Sequence, residues 1–416
     1  MAINRQLRLV TIVMAALILG ALFSALFYKM GSWKPGSASF HDAPYQLPAE
    51  DMLGLPELAI PEDNPLTMAK VALGRKLFMD RRLSHNNTIS CAMCHVPEQG
   101  FTVNELARSV GIEGRSHRRN APTVVNAAFM HRLFHDGREP ILEDQVIDPI
   151  VAFNEMGNPA VGYVVEKVSQ LPDYDGMFEA AFGGKATLDR LTKAIAAYER
   201  TLVSGNSRFD RYMYGGDKQA MTAAEINGMK VFAGKGRCIV CHTMGEKNTL
   251  FTDQKFHNTG IGYHANNVPY EKENNTMPVQ LAPGIIVEAD LTLVDEASED
   301  IPNDVGRFEI TENPDDRWAY KTPTLRNVAL TAPYMHDGSL ITLEDVVEFY
   351  DKGGEENPLL DPLLKPLGLT AAEKQELVAF MKALTGNNLK RLEQEARAAY
   401  YLSPVEMPQS SVKGAM

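Results

Sequence analysis

The 416-residue chain holds four cysteines, and they fall into two runs, Cys91-Ala92-Met93-Cys94-His95 and Cys238-Ile239-Val240-Cys241-His242. In a Cys-x-x-Cys-His run the two thiols can take up the vinyl groups of a c-type haem while the adjacent imidazole, here His95 or His242, ligates the iron. A redox dithiol or a four-cysteine zinc site would draw on the same thiols, but neither needs a histidine directly after both pairs. With all four cysteines in these runs, none is left for a disulfide framework.

Such runs need helices to approach and to cover them. Leu66 to Met79 has helical apolar spacing at Val71, Leu73, Leu77 and Phe78, and the polar turn Ser84-His85-Asn86-Asn87 leads from it into the first run. Thr187 to Leu202, with Leu188, Leu191, Ile195 and Tyr198, predicts the helix that closes this unit. Gly205 to Gly216 reads as a linker. The plan then repeats: Thr222-Ala223-Ala224-Glu225 is a capping box opening a helix toward the second run, and Thr370-Ala371-Ala372-Glu373 opens its closing partner. The expected architecture is all-α, with two cytochrome c-like domains in tandem after a single N-terminal transmembrane helix. Its boundaries are 1–48 for anchor and tether, 49–215 and 216–390 for the two domains, and 391–416 for a peripheral charged tail.

The anchor is read from Leu9–Tyr28, about twenty residues without a charge, preceded by Arg5 and Arg8, which would stay on the cytoplasmic side. A cleaved signal peptide is the competing reading, although no small-x-small cleavage site follows the apolar run. Either way the bulk of the chain is expected in the periplasm, on a Gly-, Ser- and Pro-rich tether from Gly31 to about Pro48. The formal charge of −12 argues against nucleic acid as a partner and suits docking of a basic redox protein.

Residues 120–144 align without a gap on 321–345. Pro122 meets Pro323, Asn126 meets Asn327, His135-Asp136-Gly137 meets His336-Asp337-Gly338, and Leu142-Glu143-Asp144 meets Leu343-Glu344-Asp345. The halves thus derive from one haem domain, and their differences divide the labour. Extending the register sets Tyr350 opposite Pro149, and tyrosine can ligate iron where proline cannot. Haem 2 can then be six-coordinate, while haem 1 keeps an open face for a small oxidant.

Both haem runs, together with Arg119-Asn120-Ala121-Pro122-Thr123, Asp136-Gly137-Arg138, Asn154-Glu155-Met156-Gly157, Phe256-His257-Asn258, Lys321-Thr322-Pro323-Thr324-Leu325-Arg326-Asn327 and Tyr334-Met335-His336-Asp337-Gly338, make the chain resemble the bacterial di-haem cytochrome c peroxidases and their MauG-like relatives. The resemblance implies two covalently bound c haems and a calcium ion between the domains, held by the Asn120 side chain and the carbonyls of Thr331 and Pro333. It also implies hydrogen peroxide as substrate, with Glu155 shuttling a proton between the peroxide oxygens and Gln145, ten residues earlier, assisting. Breaking an O–O bond heterolytically needs one oxygen deprotonated and the departing one protonated, which a carboxyl with a raised pKa can do. Electrons would come from a small c-type cytochrome, a cupredoxin or a quinol. A homodimer is within the family's range.

Three positions depart from the pattern. Peroxidases activated by reduction carry a histidine eight residues before the calcium asparagine; this chain has Ile112, with His117 nearby as a substitute that is more simply read as a solvated loop residue. His135 occupies the place of a tryptophan between the haems. Tyr350 replaces the methionine of ordinary peroxidases as sixth ligand of haem 2, which is the MauG-like pattern, and Met335 is its rival. Residues 264–304 are read as an acidic inserted loop carrying Glu288, Asp290, Asp295, Glu296, Glu299 and Asp300, and Trp318 beyond it as a packing residue. The expected activity is a di-haem peroxidase. The alternatives are a MauG-like enzyme that oxidises residues of a partner protein, and a di-haem electron carrier without catalysis.

Overall fold

A computed structural model describes residues 43–267, 276–282, 285–290 and 303–400; the expected anchor Leu9–Tyr28 lies outside the described residues. Among the described residues no helix is long and apolar enough to cross a membrane. The helices, in chain order, are α1 (Met68–Met79), α2 (Cys91–Cys94), α3 (Leu142–Gln145), α4 (Ile147–Val151), α5 (Val161–Ser169), α6 (Met177–Phe182), α7 (Leu188–Glu199), α8 (Arg208–Met213), α9 (Ala223–Ala233), α10 (Ile261–Asn267), α11 (Phe308–Thr311), α12 (Leu343–Lys352), α13 (Ala371–Lys382) and α14 (Leu389–Tyr400). The fold is helical rather than strictly all-α, because β1 (Phe256–His257) pairs antiparallel with β4 (Tyr320–Lys321) and β2 (Thr276–Ala282) with β3 (Ile285–Asp290).

The two largest cores form around two packed helix pairs. In the first, α1 lies against α7, and Gly74 makes the close approach: a Cβ there would sit 1.8 Å from the Ala194 carbonyl oxygen. In the second, α9 lies against α13, and a Cβ on Gly228 would sit 1.8 Å from the Glu376 carbonyl oxygen. Helix glycine normally costs about 1 kcal/mol relative to alanine, so both sites are explained by backbone proximity. Thr222 and Thr370 each form the expected capping box, with Glu225 and Glu373. Phe78 and Tyr198 meet edge to face at 5.3 Å in the first core, and Phe209, Phe232, Phe251 and Phe380 interlock in the second.

The repeat is visible in the backbone. Asn126 and Asn327 are both left-handed, at φ 63° and 62°, and each opens a short 3₁₀ turn. Leu133 bridges to Glu139 as Tyr334 bridges to Leu340.

Four expectations are corrected. The end of the tether is fixed to the first core, for Tyr45 N–H donates to the Leu66 carbonyl at 3.1 Å and Pro44 bridges to Thr67. Gly205–Gly216 is not a linker: Ser207 and Asp210 cap α8, Phe209 is fully buried, and the Asp210 carboxylate pairs with Arg326 Nη1 at 2.9 Å in the interior. The chain after Asn387 is not peripheral throughout, because Leu392 and Ala396 of α14 are buried in the first core. Within 264–304 the described parts form α10 and the β2–β3 hairpin, with Glu288 and Asp290 on β3; Asp295, Glu296, Glu299 and Asp300 lie outside the described residues. Trp318 packs edge to face on Tyr263, 4.9 Å between ring centres.

Candidate functional site

The second cysteine run opens onto a cavity of about 330 Å³ lined by Cys238, Cys241, His242, Tyr350, Met335 and Lys321. His242 donates from Nδ1 to the Phe251 carbonyl at 2.8 Å, a tautomer that leaves the Nε2 lone pair for a metal. Burial lowers the His242 pKa, so the ring is neutral at pH 7, as ligation requires. Burial also pushes the Cys238 thiol up to about 12, which favours an uncharged sulfur rather than a zinc thiolate. Lys321 is the other test of fit. Burial alone draws its ammonium down to about 8, and no carboxylate pairs with it among the described residues. A buried cation without a partner is costly, and the acidic side arms of a haem would supply one. The residues therefore fit the group.

In the first run α2 carries Cys91 and Cys94, and the turn after it presents His95. Burial pulls His95 down to about 4 and pushes Cys94 up to about 11, so this site too holds a neutral imidazole beside uncharged thiols. The His95 Nδ1 makes no hydrogen bond of normal geometry among the described residues, although the backbones of Phe101 and Pro122 lie near enough to the ring to oppose part of the effect of burial.

Glu155 is positioned by two clasped loops. The Ile112 N–H donates to the Glu155 carbonyl at 3.0 Å, and Arg115 Nη1 donates to the Phe153 carbonyl at 2.9 Å. Gly111 packs on Asn154 so closely that a Cβ would lie 2.0 Å from its carbonyl oxygen. Ile112, which stands where reductively activated peroxidases carry histidine, is buried and helps to lock the loop. Burial pushes the Glu155 carboxyl up to about 7, with Arg138 pulling the other way and Asp148 adding to the rise. Burial is the main cause that raises the Cys91 and Cys94 thiols, and the charge of Glu155 adds to it, second for Cys94 and last for Cys91, so the carboxyl lies within electrostatic reach of the first run. Gln145 ends α3 and is half-buried; no hydrogen bond links its side chain to Glu155 among the described residues.

Tyr350 lies on α12, and burial, reinforced by Cys241 and Cys238, holds its phenol protonated. Met335, the rival, lines the same cavity, as do Asn120, Thr331, Pro333 and His135. Asn120 donates from Nδ2 to the Ala107 carbonyl at 2.9 Å, which leaves its side-chain oxygen to face elsewhere. His135 Nε2 sits 2.9 Å from the Asn120 carbonyl, and burial pulls its pKa to about 3.

Three features lay in motifs whose roles the sequence did not disclose. One is Lys321. Another is Arg326, buried with Asp210 and bonded from Nε to the Thr249 carbonyl at 2.7 Å. The third is His257, held between Asp361 at 2.5 Å and Asp253 at 3.0 Å, beside Cys241. A basic residue inside a run of otherwise uncharged motif positions is the signal that could have flagged them.

The family profile described as di-haem cytochrome c peroxidase matches residues 68–219. The chain is 38% identical to the cytochrome-c peroxidase IdrP1 of Denitromonas iodatirespirans over 342 residues, 80% of this chain and 85% of that protein. It is 36% identical to the methylamine utilization protein MauG of Methylorubrum extorquens, over 78% of this chain and 80% of that one. Among solved structures, a MauG-like protein associated with microbial copper homeostasis superposes with a TM-score of 0.67 at 31% identity, covering 83% of this chain and 96% of its own. With both Cys-x-x-Cys-His runs half-buried and their imidazoles held neutral, the chain belongs to the di-haem cytochrome c peroxidase and MauG family.

Proposed function

We propose that the chain is a periplasmic di-haem c-type peroxidase that reduces hydrogen peroxide to water with electrons from a small c-type cytochrome, a cupredoxin or a quinol. The observation that carries this is Glu155, a carboxyl raised to about 7 by burial within electrostatic reach of the first haem run. Cys91 and Cys94 would hold haem 1 with His95 as ligand, and Cys238 and Cys241 would hold haem 2 with His242. The haems, when bound, supply the electron transfer and the reactivity toward the O–O bond.

The chain's own part is proton handling and access. Glu155 takes a proton from one peroxide oxygen onto its carboxylate and returns it to the departing oxygen, which a group titrating near neutrality can do in both directions. Gln145 would orient the peroxide through its amide. Ile112, clasped to the Glu155 loop, leaves no histidine at the usual blocking position, so oxidised enzyme should react without prior reduction. Asn120, Thr331 and Pro333 offer oxygen atoms of the kind calcium prefers. The chain would divide into domains at 49–215 and 216–390, on an inner-membrane anchor at Leu9–Tyr28 or free after its cleavage.

The second reading is a MauG-like enzyme that spends the oxidising power on residues of a protein substrate. Tyr350 favours it, being a phenol beside Cys241 and Cys238 in the haem 2 cavity. The test of the peroxidase reading is steady-state peroxide consumption by Glu155→Gln with each class of donor; turnover retained in that variant would assign the proton shuttle elsewhere.

A further inference from the structure

His117 is a half-buried titratable group that the mechanism above does not use. Its backbone N–H donates to the Ser109 carbonyl at 3.0 Å, which closes the loop whose Ile112 and Arg115 grip the Glu155 loop. The clasp brings the ring beside the carboxyl: His117 Nδ1 lies 3.9 Å from Glu155 Oε1, with 17% of the histidine side chain and 24% of the glutamate side chain accessible. The other ring nitrogen, Nε2, is buried and makes no hydrogen bond of normal geometry among the described residues, although the Asn154 backbone lies near enough to the ring to oppose part of the effect of burial. A buried nitrogen left unsatisfied is costly, and an ordered water is the usual remedy. The Glu155 carboxyl has no closer side-chain partner than this ring among the described residues.

These groups make a path with two ends. Reduction of one peroxide to two waters consumes two protons as well as two electrons. Glu155 only moves a proton from one oxygen to the other, so the additional protons must reach the pocket from outside. We infer that His117 is the proton relay that reloads Glu155, taking a proton at Nε2 from water and passing one from Nδ1 to the Glu155 carboxylate. The step is balanced: imidazolium and carboxylate become the Nε2–H imidazole and carboxylic acid, that imidazole returns to its Nδ1–H tautomer by proton exchange with solvent, and hydronium then protonates Nε2 again. Closing the gap by about 1 Å, a side-chain rotation, brings the pair to hydrogen-bond reach. Charged and titratable groups facing the pair are Arg138, Asp148, Cys91 and Cys94 around Glu155, and His95 near His117. Burial lowers the His117 pKa while burial raises that of Glu155, which brings two groups of different type toward a common range and makes transfer easy in either direction. His117 acts through Glu155 and needs no contact with peroxide.

The inference rests on Glu155 being the peroxide-side acid and base, and the experiment separates the two. Haem-loaded His117→Gln and His117→Asn are compared with wild type and Glu155→Gln at saturating donor, from pH 5 to 9, in HEPES alone and with rising phosphate at constant ionic strength. His117→Gln should lose roughly tenfold or more in turnover and recover with phosphate, because a small diffusible acid replaces the relay; Glu155→Gln should not recover. Undiminished turnover of both histidine variants, or a loss that phosphate does not restore, overturns the relay while leaving Glu155 in place. Full activity of Glu155→Gln overturns the underlying reading instead. An infrared titration of the oxidised holoenzyme reads the same coupling without turnover. The carboxylic C=O band absent from Glu155→Gln should titrate together with an imidazole ring band in wild type and lose that companion in His117→Gln. Should neither histidine variant retain haem, the wild-type titration decides: a carboxyl band that titrates with no imidazole change overturns the relay.

Discussion

After His135-Asp136-Gly137 the chain runs as two short helices, α3 and α4, with Pro149 inside the second; after His336-Asp337-Gly338 it runs as one unbroken helix, α12, with Tyr350 at the corresponding place. Proline has no N–H to give to the carbonyl four residues back, which here belongs to Gln145, and α3 ends at that residue. Beyond Val151, the last residue of α4, the chain leaves the helical path and forms the loop that carries Glu155. In the other half the helix continues and brings a phenol to the haem 2 cavity. A single change of residue type thus separates a half that offers a proton-transfer group from a half that offers a candidate iron ligand.

The largest expected effect breaks that comparison at its catalytic end. Glu155→Gln should lower peroxide turnover by roughly 10²–10⁴-fold with haem content unchanged, whereas Glu356→Gln, an exposed carboxylate of the C-terminal half, should leave it intact. The wild-type kcat/KM should fall as pH drops below about 7, because the carboxylate must be free to take the first proton. A rate rising toward acid would contradict that order of proton transfers.

The packing of the halves should prove alike where their chemistry differs. Gly74→Val and Gly228→Val each force a side chain against the backbone of the partner helix, and each should cost roughly 1–3 kcal/mol or more, read as earlier thermal unfolding. If one variant is as stable as wild type, the two helix pairs do not share a packing rule.

The ligand end of the comparison is sharpened by Tyr350→Phe. A phenolate donates charge and lowers the potential of haem 2, so the variant should show a raised potential in redox titration. A sulfur-to-iron charge-transfer band present in wild type and kept in the variant would assign the ligand to Met335 instead.

The smallest effect concerns stability against pH. Burial raises Glu199 in α7 to about 8 from its ordinary 4.5, so the folded state binds the proton more tightly than the unfolded chain. That contribution is fully present below about pH 4.5 and is lost as pH rises through about 8. Glu199→Gln should flatten the decline of the melting temperature over that window, and an unchanged slope would show that Glu199 is solvated.

The sequence alone determined what could be read from spacing. The two Cys-x-x-Cys-His runs, the capping boxes at Thr222 and Thr370, the approach helices and the register that opposes Pro149 to Tyr350 are local patterns, and local hydrogen bonding and helical periodicity enforce them. It misjudged Gly205–Gly216 and the chain after Asn387 because their composition is that of a connection, whereas their order comes from distant partners: Arg326 for Asp210, and the first core for Leu392 and Ala396. Only the tertiary structure decided that Lys321 lines the haem 2 cavity with no carboxylate partner among the described residues, and that His117, read as a solvated loop residue, lies beside Glu155. Burial and the pKa shifts it causes depend on which groups are brought together from far along the chain, and no short-range pattern encodes that.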